Sequence, residues 1–91
     1  MEESFSFFVG IDWATQAHQV CLMNREGRTL EEFAVEQTGA ALSQFAQRLM
    51  RLCQGDPKQV AVAIETPRGA VVEMLVECGF AVFAINPKQV D

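Results

Sequence analysis

Basic residues are scarce in this chain: seven Lys and Arg stand against twelve Asp and Glu, a formal net charge of −5 at pH 7 over 91 residues. Arg25, Arg28, Arg48, Arg51, Lys58, Arg68 and Lys88 are also scattered. No basic stripe is available to neutralise nucleic-acid phosphates, which argues against a self-sufficient DNA or RNA binder. Cysteine is sparse as well. Cys21, Cys53 and Cys78 are odd in number, far apart and in no CxxC arrangement near the single histidine, so neither a disulfide framework nor a zinc site is indicated. They read as reduced core cysteines. No apolar run approaches the roughly 20 residues that a membrane-crossing helix needs, and Met1-Glu2-Glu3 is acidic where a secretion signal is basic. The expectation is a soluble, cytoplasmic protein with no membrane partner.

What is present is core-forming material: 49% of residues are hydrophobic and 21% charged, the balance of a globular domain. At this length the chain makes one small domain, burying roughly 60 to 65% of its unfolded surface. Ser4 to Asp12 is almost continuously apolar and predicts a central strand covered on both faces. His18 to Asn24 and Arg28 to Glu36 read as a second strand and a charged edge strand, joined by a turn at Arg25-Glu26-Gly27. Thr38 is a candidate N-cap for an amphipathic helix carrying Leu42, Phe45, Leu49 and Leu52 and ending near Gly55-Asp56-Pro57.

Val60 to Glu65 reads as a second buried strand. Thr66-Pro67 supplies the cap and first turn of a second helix, closed by Gly79, and Phe80 to Ile85 forms a last strand before Asn86-Pro87 opens another helix. The order β-β-β-α-β-α-β predicts an α/β, mixed five-stranded sheet with right-handed crossovers. By analogy this is the ribonuclease H-like order, truncated before the last helices, with the first strand central beside the fourth.

Two apolar strands in this reading end on acids, Asp12 and Glu65. If those strands are parallel neighbours, the acids sit side by side at one end of the sheet, about 5 Å apart in backbone position. On their face the preceding residues are Gly10, Ala63 and Ala61, a floor of small side chains. Two carboxylates so placed repel unless a proton or hard cation lies between them, and oxygen donors suit magnesium or manganese. Metal-assisted phosphoryl transfer is the corresponding chemistry. His18 and Trp13 fall near the same sheet end, and Thr66 and Arg68 at the start of the second helix, where an anion is favoured. These four are candidate nucleic-acid contacts; a histidine satisfied by backbone, a tryptophan covering the sheet end and a solvated surface arginine are the alternative readings.

Gly10-Ile11-Asp12-Trp13-Ala14, His18 a few residues on, Ile64-Glu65-Thr66-Pro67-Arg68-Gly69, Gly79-Phe80-Ala81-Val82 and Ile85-Asn86-Pro87-Lys88-Gln89-Val90 resemble the amino-terminal domain of DEDD-type (RuvC-like) transposases of bacterial insertion sequences. That family includes pilin-gene invertases and bridge-RNA-guided recombinases. The resemblance implies that residues 1–91 are the amino-terminal part of a RuvC-like, metal-dependent catalytic domain for DNA transposition and recombination. Asp12 and Glu65 match the first two of four Mg2+-binding (or Mn2+-binding) acids. The other two belong to a later Asp-x-x-Asp motif, and the family's serine nucleophile to a further domain; Asp91 falls too early to take either acid's role. Implied partners are DNA, a guide RNA, the rest of the transposase chain and further copies of it. The fragment alone is expected to be inactive and to bind metal weakly or not at all. Two other readings remain open. Sugar kinases and ATPases of the same fold also begin with a glycine-aspartate strand, but follow it with a glycine that Trp13-Ala14-Thr15 lacks. The domain could also serve without catalysis, as a guide-RNA-binding or dimerisation module.

Overall fold

A computed structural model of the chain describes residues 5–65 and 69–84. Strands β1 (Phe7–Asp12), β2 (Ala17–Asn24) and β3 (Thr29–Glu36) come first, followed by helix α1 (Gly39–Leu52), strand β4 (Val60–Ile64), helix α2 (Ala70–Glu77) and strand β5 (Ala81–Ala84). They form one sheet in the order β3-β2-β1-β4-β5. β1 pairs antiparallel with β2 and β2 with β3, while β1–β4 and β4–β5 are parallel. The mixed five-stranded sheet with a central first strand is as the sequence predicts.

Local chemistry explains most of the boundaries. Asn24 organises the β2–β3 turn: its side-chain oxygen accepts the Glu26 and Arg28 backbone N–H groups, both at 3.0 Å, and Gly27 takes the left-handed φ of +83° that the turn requires. Thr38 caps α1 by accepting the Ala41 N–H at 3.1 Å. The helix stops at Leu52, before Gly55, and a single 3-10 turn at Pro57–Gln59, capped by Asp56, leads into β4. α2 differs from expectation. It begins at Ala70 with Gly69 as its cap at φ +108° and no side-chain cap bond, so neither Thr66 nor Pro67 starts it; Thr66, Pro67 and Arg68 lie outside the described residues. The helix expected at Asn86-Pro87 lies outside them as well.

α1 and α2 pack on the same face of the sheet. Leu42, Phe45 and Leu49 of α1 and Val71, Val72 and Leu75 of α2 join Val9, Ile11, Val62 and Ile64 in one core. At the β3 margin Arg48 lies 3.8 Å over the Phe33 ring and pairs with Glu31, closing the rim with its charge still hydrated. The opposite face is different. Phe8, Gly10, Met23, Ala63 and Phe83 lie there half-buried or exposed, and Phe83 is 51% exposed. The prediction that β1 is covered on both faces therefore fails among the described residues. An unbroken apolar run conceals the alternation that the paired strand imposes.

Candidate metal centre

Asp12 is the last residue of β1, and Glu65 follows β4 directly. The parallel ladder pairs Gly10 with Ala63 and Ile11 with Ile64. Carried one residue further, that register sets Asp12 level with Glu65, about 5 Å apart in backbone position. Ile11 and Ile64 are buried under the helices, so alternation sends both acids to the open face, and both residues are exposed. Beneath them lie Gly10 and Ala63. A Cβ built on Gly10 would meet no atom within 4 Å, so the space over the floor is clear.

Carboxylate oxygens are the hard ligands that magnesium and manganese take, so the donor chemistry fits such a cation. The set is partial. Among the described residues no group of three or more His, Cys, Asp or Glu is gathered closely enough to hold a metal. Gln19, the cross-strand partner of Asp12, is an exposed polar neighbour on the same face that motif reading overlooks. The connection's length alone would not have found it, since four residues from Trp13 to Gln16 would set Asp12 opposite Ala17, whereas the ladder pairs it with Gln19.

The two candidate nucleic-acid contacts near Asp12 are placed on the other side. His18 is 0% exposed, its Nδ1 accepting the Ala14 backbone N–H at 3.2 Å and its Nε2 facing Oε1 of Gln37. A ring with no solvent-facing edge makes no direct phosphate contact, which corrects that candidate role. Trp13 packs half-buried against the core, its ring centroid 6.0 Å from that of His18. Its indole Nε1 is buried without a hydrogen-bond partner and lies 3.7 Å from where a Gly69 Cβ would be, so it covers the sheet end beside α2. Thr66 and Arg68 lie outside the described residues. Cys53 is buried, Cys21 and Cys78 are half-buried, and all three are free.

Sheet order, one-sided crossover helices and an acid pair ending the two central parallel strands define the class: a ribonuclease H-like α/β domain. Solved structures share the fold. A Bacteroides thetaiotaomicron protein with an actin-like ATPase fold superposes with a TM-score of 0.68 at 15% identity, over 92% of this chain and 34% of that one. The large terminase nuclease of a thermophilic phage gives 0.61 at 17% identity, over 96% and 50%. At these identities the likeness concerns fold alone. Sequence goes further. The family model of DEDD transposases of the IS110 type matches residues 9–91, and the chain belongs to that family. A Sinorhizobium fredii protein named as a transposase, y4uE, is 44% identical over 87 residues, 92% of this chain and 24% of that protein. The mini-circle transposase named for IS117 in Streptomyces coelicolor is 33% identical over 86 residues, 94% of this chain and 21% of that protein. The chain thus spans about a quarter of the length of the curated relatives it matches. No helix among the described residues is long and apolar enough to cross a membrane.

Proposed function

We propose that this chain is the amino-terminal part of a transposase catalytic domain, in which Asp12 and Glu65 are two of the acids that hold a magnesium or manganese ion for work on DNA phosphates. The observation that supports this reading is the parallel β1–β4 register, Ile11 beside Ile64, which, continued by one residue, would bring the two acids level. Family membership of residues 9–91 supports it. Bound there, a divalent cation would polarise a phosphoryl oxygen and orient the attacking and leaving groups.

The chain's own residues prepare that site. Asp12 and Glu65 concentrate negative charge that a cation relieves, and Gly10 and Ala63 keep the floor low enough for ion and phosphate to sit above the sheet. With a net charge of −5, this part supplies little of the DNA-holding surface. That task, the remaining acids, the serine nucleophile and any guide-RNA contact fall to the rest of the polypeptide.

The test uses full-length protein carrying Asp12→Ala or Glu65→Ala. Recombination of a donor–target plasmid pair should fall at least ~100-fold, about 2.7 kcal/mol in barrier height, with the unfolding midpoint close to wild type. Recombination near the wild-type rate in either variant would sink the catalytic assignment.

A further inference from the structure

His18 is the buried polar side chain among the described residues, fully out of contact with solvent, and the proposed chemistry does not use it. Its contacts define its state. A backbone N–H can only donate, so the Ala14 N–H at 3.2 Å requires a bare Nδ1. The proton therefore sits on Nε2, where it is donated to the Gln37 Oε1. Both contacts are met by the neutral Nε2–H tautomer and by no other form.

The ring's position gives those bonds a consequence. Ala14 lies two residues past Asp12, in the Trp13-to-Gln16 connection to β2, and Ala14, Thr15 and Gln16 are exposed. That connection is tied to the helix-covered layer at two points. His18 holds Ala14, and the Gln37 backbone N–H donates to the Gln16 carbonyl at 2.9 Å. Gln37 itself sits between β3 and the Thr38 cap of α1, so one residue anchors both the ring and the far side of the turn. Among the described residues, no side chain hydrogen-bonds or ion-pairs with the Asp12 carboxylate. The backbone that carries it is held by the Gln19 pairing on one side and by the clamped turn just beyond.

We propose that His18 is a positioning residue for Asp12: its neutral ring, anchored by Gln37, fixes the turn after β1 and thereby the carboxylate's affinity for a divalent cation. This rests on the reading that Asp12 and Glu65 hold such a cation. Partners hydrogen-bonded to a metal ligand commonly set affinity by roughly 10- to 100-fold; His18 acts one step further out, through the Ala14 backbone, so a smaller effect is expected.

The experiment measures Mn2+ binding to full-length protein by calorimetry and by the Mn2+ spin-resonance signal, well below the unfolding midpoint. His18→Leu fills the volume and deletes both bonds, and should weaken Mn2+ binding about threefold or more, short of the roughly 10- to 100-fold of a partner bonded to the ligand itself. His18→Asn sets a side-chain oxygen near the place of Nδ1, where it can accept the Ala14 N–H, and should recover most of the loss. Gln37→Leu should weaken binding in the same direction. Leu49→Ala, a core variant remote from the turn, controls for stability loss and should leave Mn2+ affinity unchanged in the folded protein. Nitrogen-15 spectra of histidine-labelled protein, assigned by loss of a signal in His18→Asn, should show the neutral Nε2–H form.

The proposal is overturned if folded His18→Leu binds Mn2+ like wild type, if Leu49→Ala loses as much, or if His18 is protonated on Nδ1. Asp12→Asn separates the two levels of inference. If Asp12→Asn abolishes binding while His18→Leu does not, only the positioning role fails. If Asp12→Asn leaves binding intact, the cation site fails and the positioning role with it.

Discussion

On one side of the sheet, Val9, Val60, Val62 and Ile64 are at most 1% exposed beneath two helices; on the other, β1, β4 and β5 present Phe8, Gly10, Ala63 and Phe83, half-buried or open. In β4 Val60, Val62 and Ile64 are fully buried and Ala63 is half-buried, while Ala61, on the same parity as Ala63, is 6% exposed. Large β-branched residues fill the helix-covered layer, where each buried methylene contributes about 0.8 kcal/mol. Alanine and glycine make the outer surface thin. The difference separates two tasks within a single sheet. Stability is concentrated on the covered face, and the open face carries the candidate chemistry, where the outward position after a small residue is an acid on both central strands.

One substitution made on each face puts that separation to the most direct test. Phe45 on α1 is 2% exposed and meets the Phe33 ring edge-on at 5.9 Å. Phe45→Ala should destabilise by about 3–5 kcal/mol in urea denaturation, the loss of a fully buried aromatic plus the cavity it leaves. Phe83 is 51% exposed, and its one described ring neighbour is Phe5 at 6.1 Å. Phe83→Ala should cost about 1 kcal/mol or less, an edge-on aromatic pair's share with little burial added. Equal losses at the two positions would break the comparison, since they would mean that the open face is packed as tightly as the covered one.

How far this division could be read from sequence varied with the residue. The succession of strands and helices was legible because it rests on short-range signals: apolar runs, the Thr38 cap and the glycine closing α2. The pairing of β1 with β4 spans about 50 residues and was reached by analogy with the ribonuclease H-like order. The open face was hidden in Phe7-Phe8-Val9-Gly10-Ile11, where apolar residues occupy both parities and periodicity carries no information about which side is covered. The start of α2 was misjudged because Thr-Pro is a strong local start signal, whereas the helix begins after Gly69, whose φ of +108° few other residues tolerate. The His18–Gln37 contact spans 19 residues and arises only when β3 returns alongside the start of β2. Neither residue type carries a local mark of that meeting.

Gly10 offers the smallest effect on stability and the sharpest division between the faces. Its backbone is not left-handed and an added Cβ would meet nothing within 4 Å, so Gly10→Ala removes unfolded-state freedom without a clash. A gain of about 0.5 kcal/mol is the expected outcome in urea denaturation. Gly10→Leu should likewise fold, since its side chain projects over the open face and β1 already pairs on both edges. The same leucine stands below the Asp12 carboxylate, however, in the space that a cation and a phosphate would share. In full-length protein it should leave the unfolding midpoint near wild type and depress both Mn2+ binding and recombination. If Gly10→Leu instead unfolds the protein, the rest of the polypeptide packs directly on this floor, and the chemistry must be sought nearer the edge of the acid pair. If it folds and recombines normally, the low floor has no part in the site, and the alanine and glycine beneath the acids reflect packing alone.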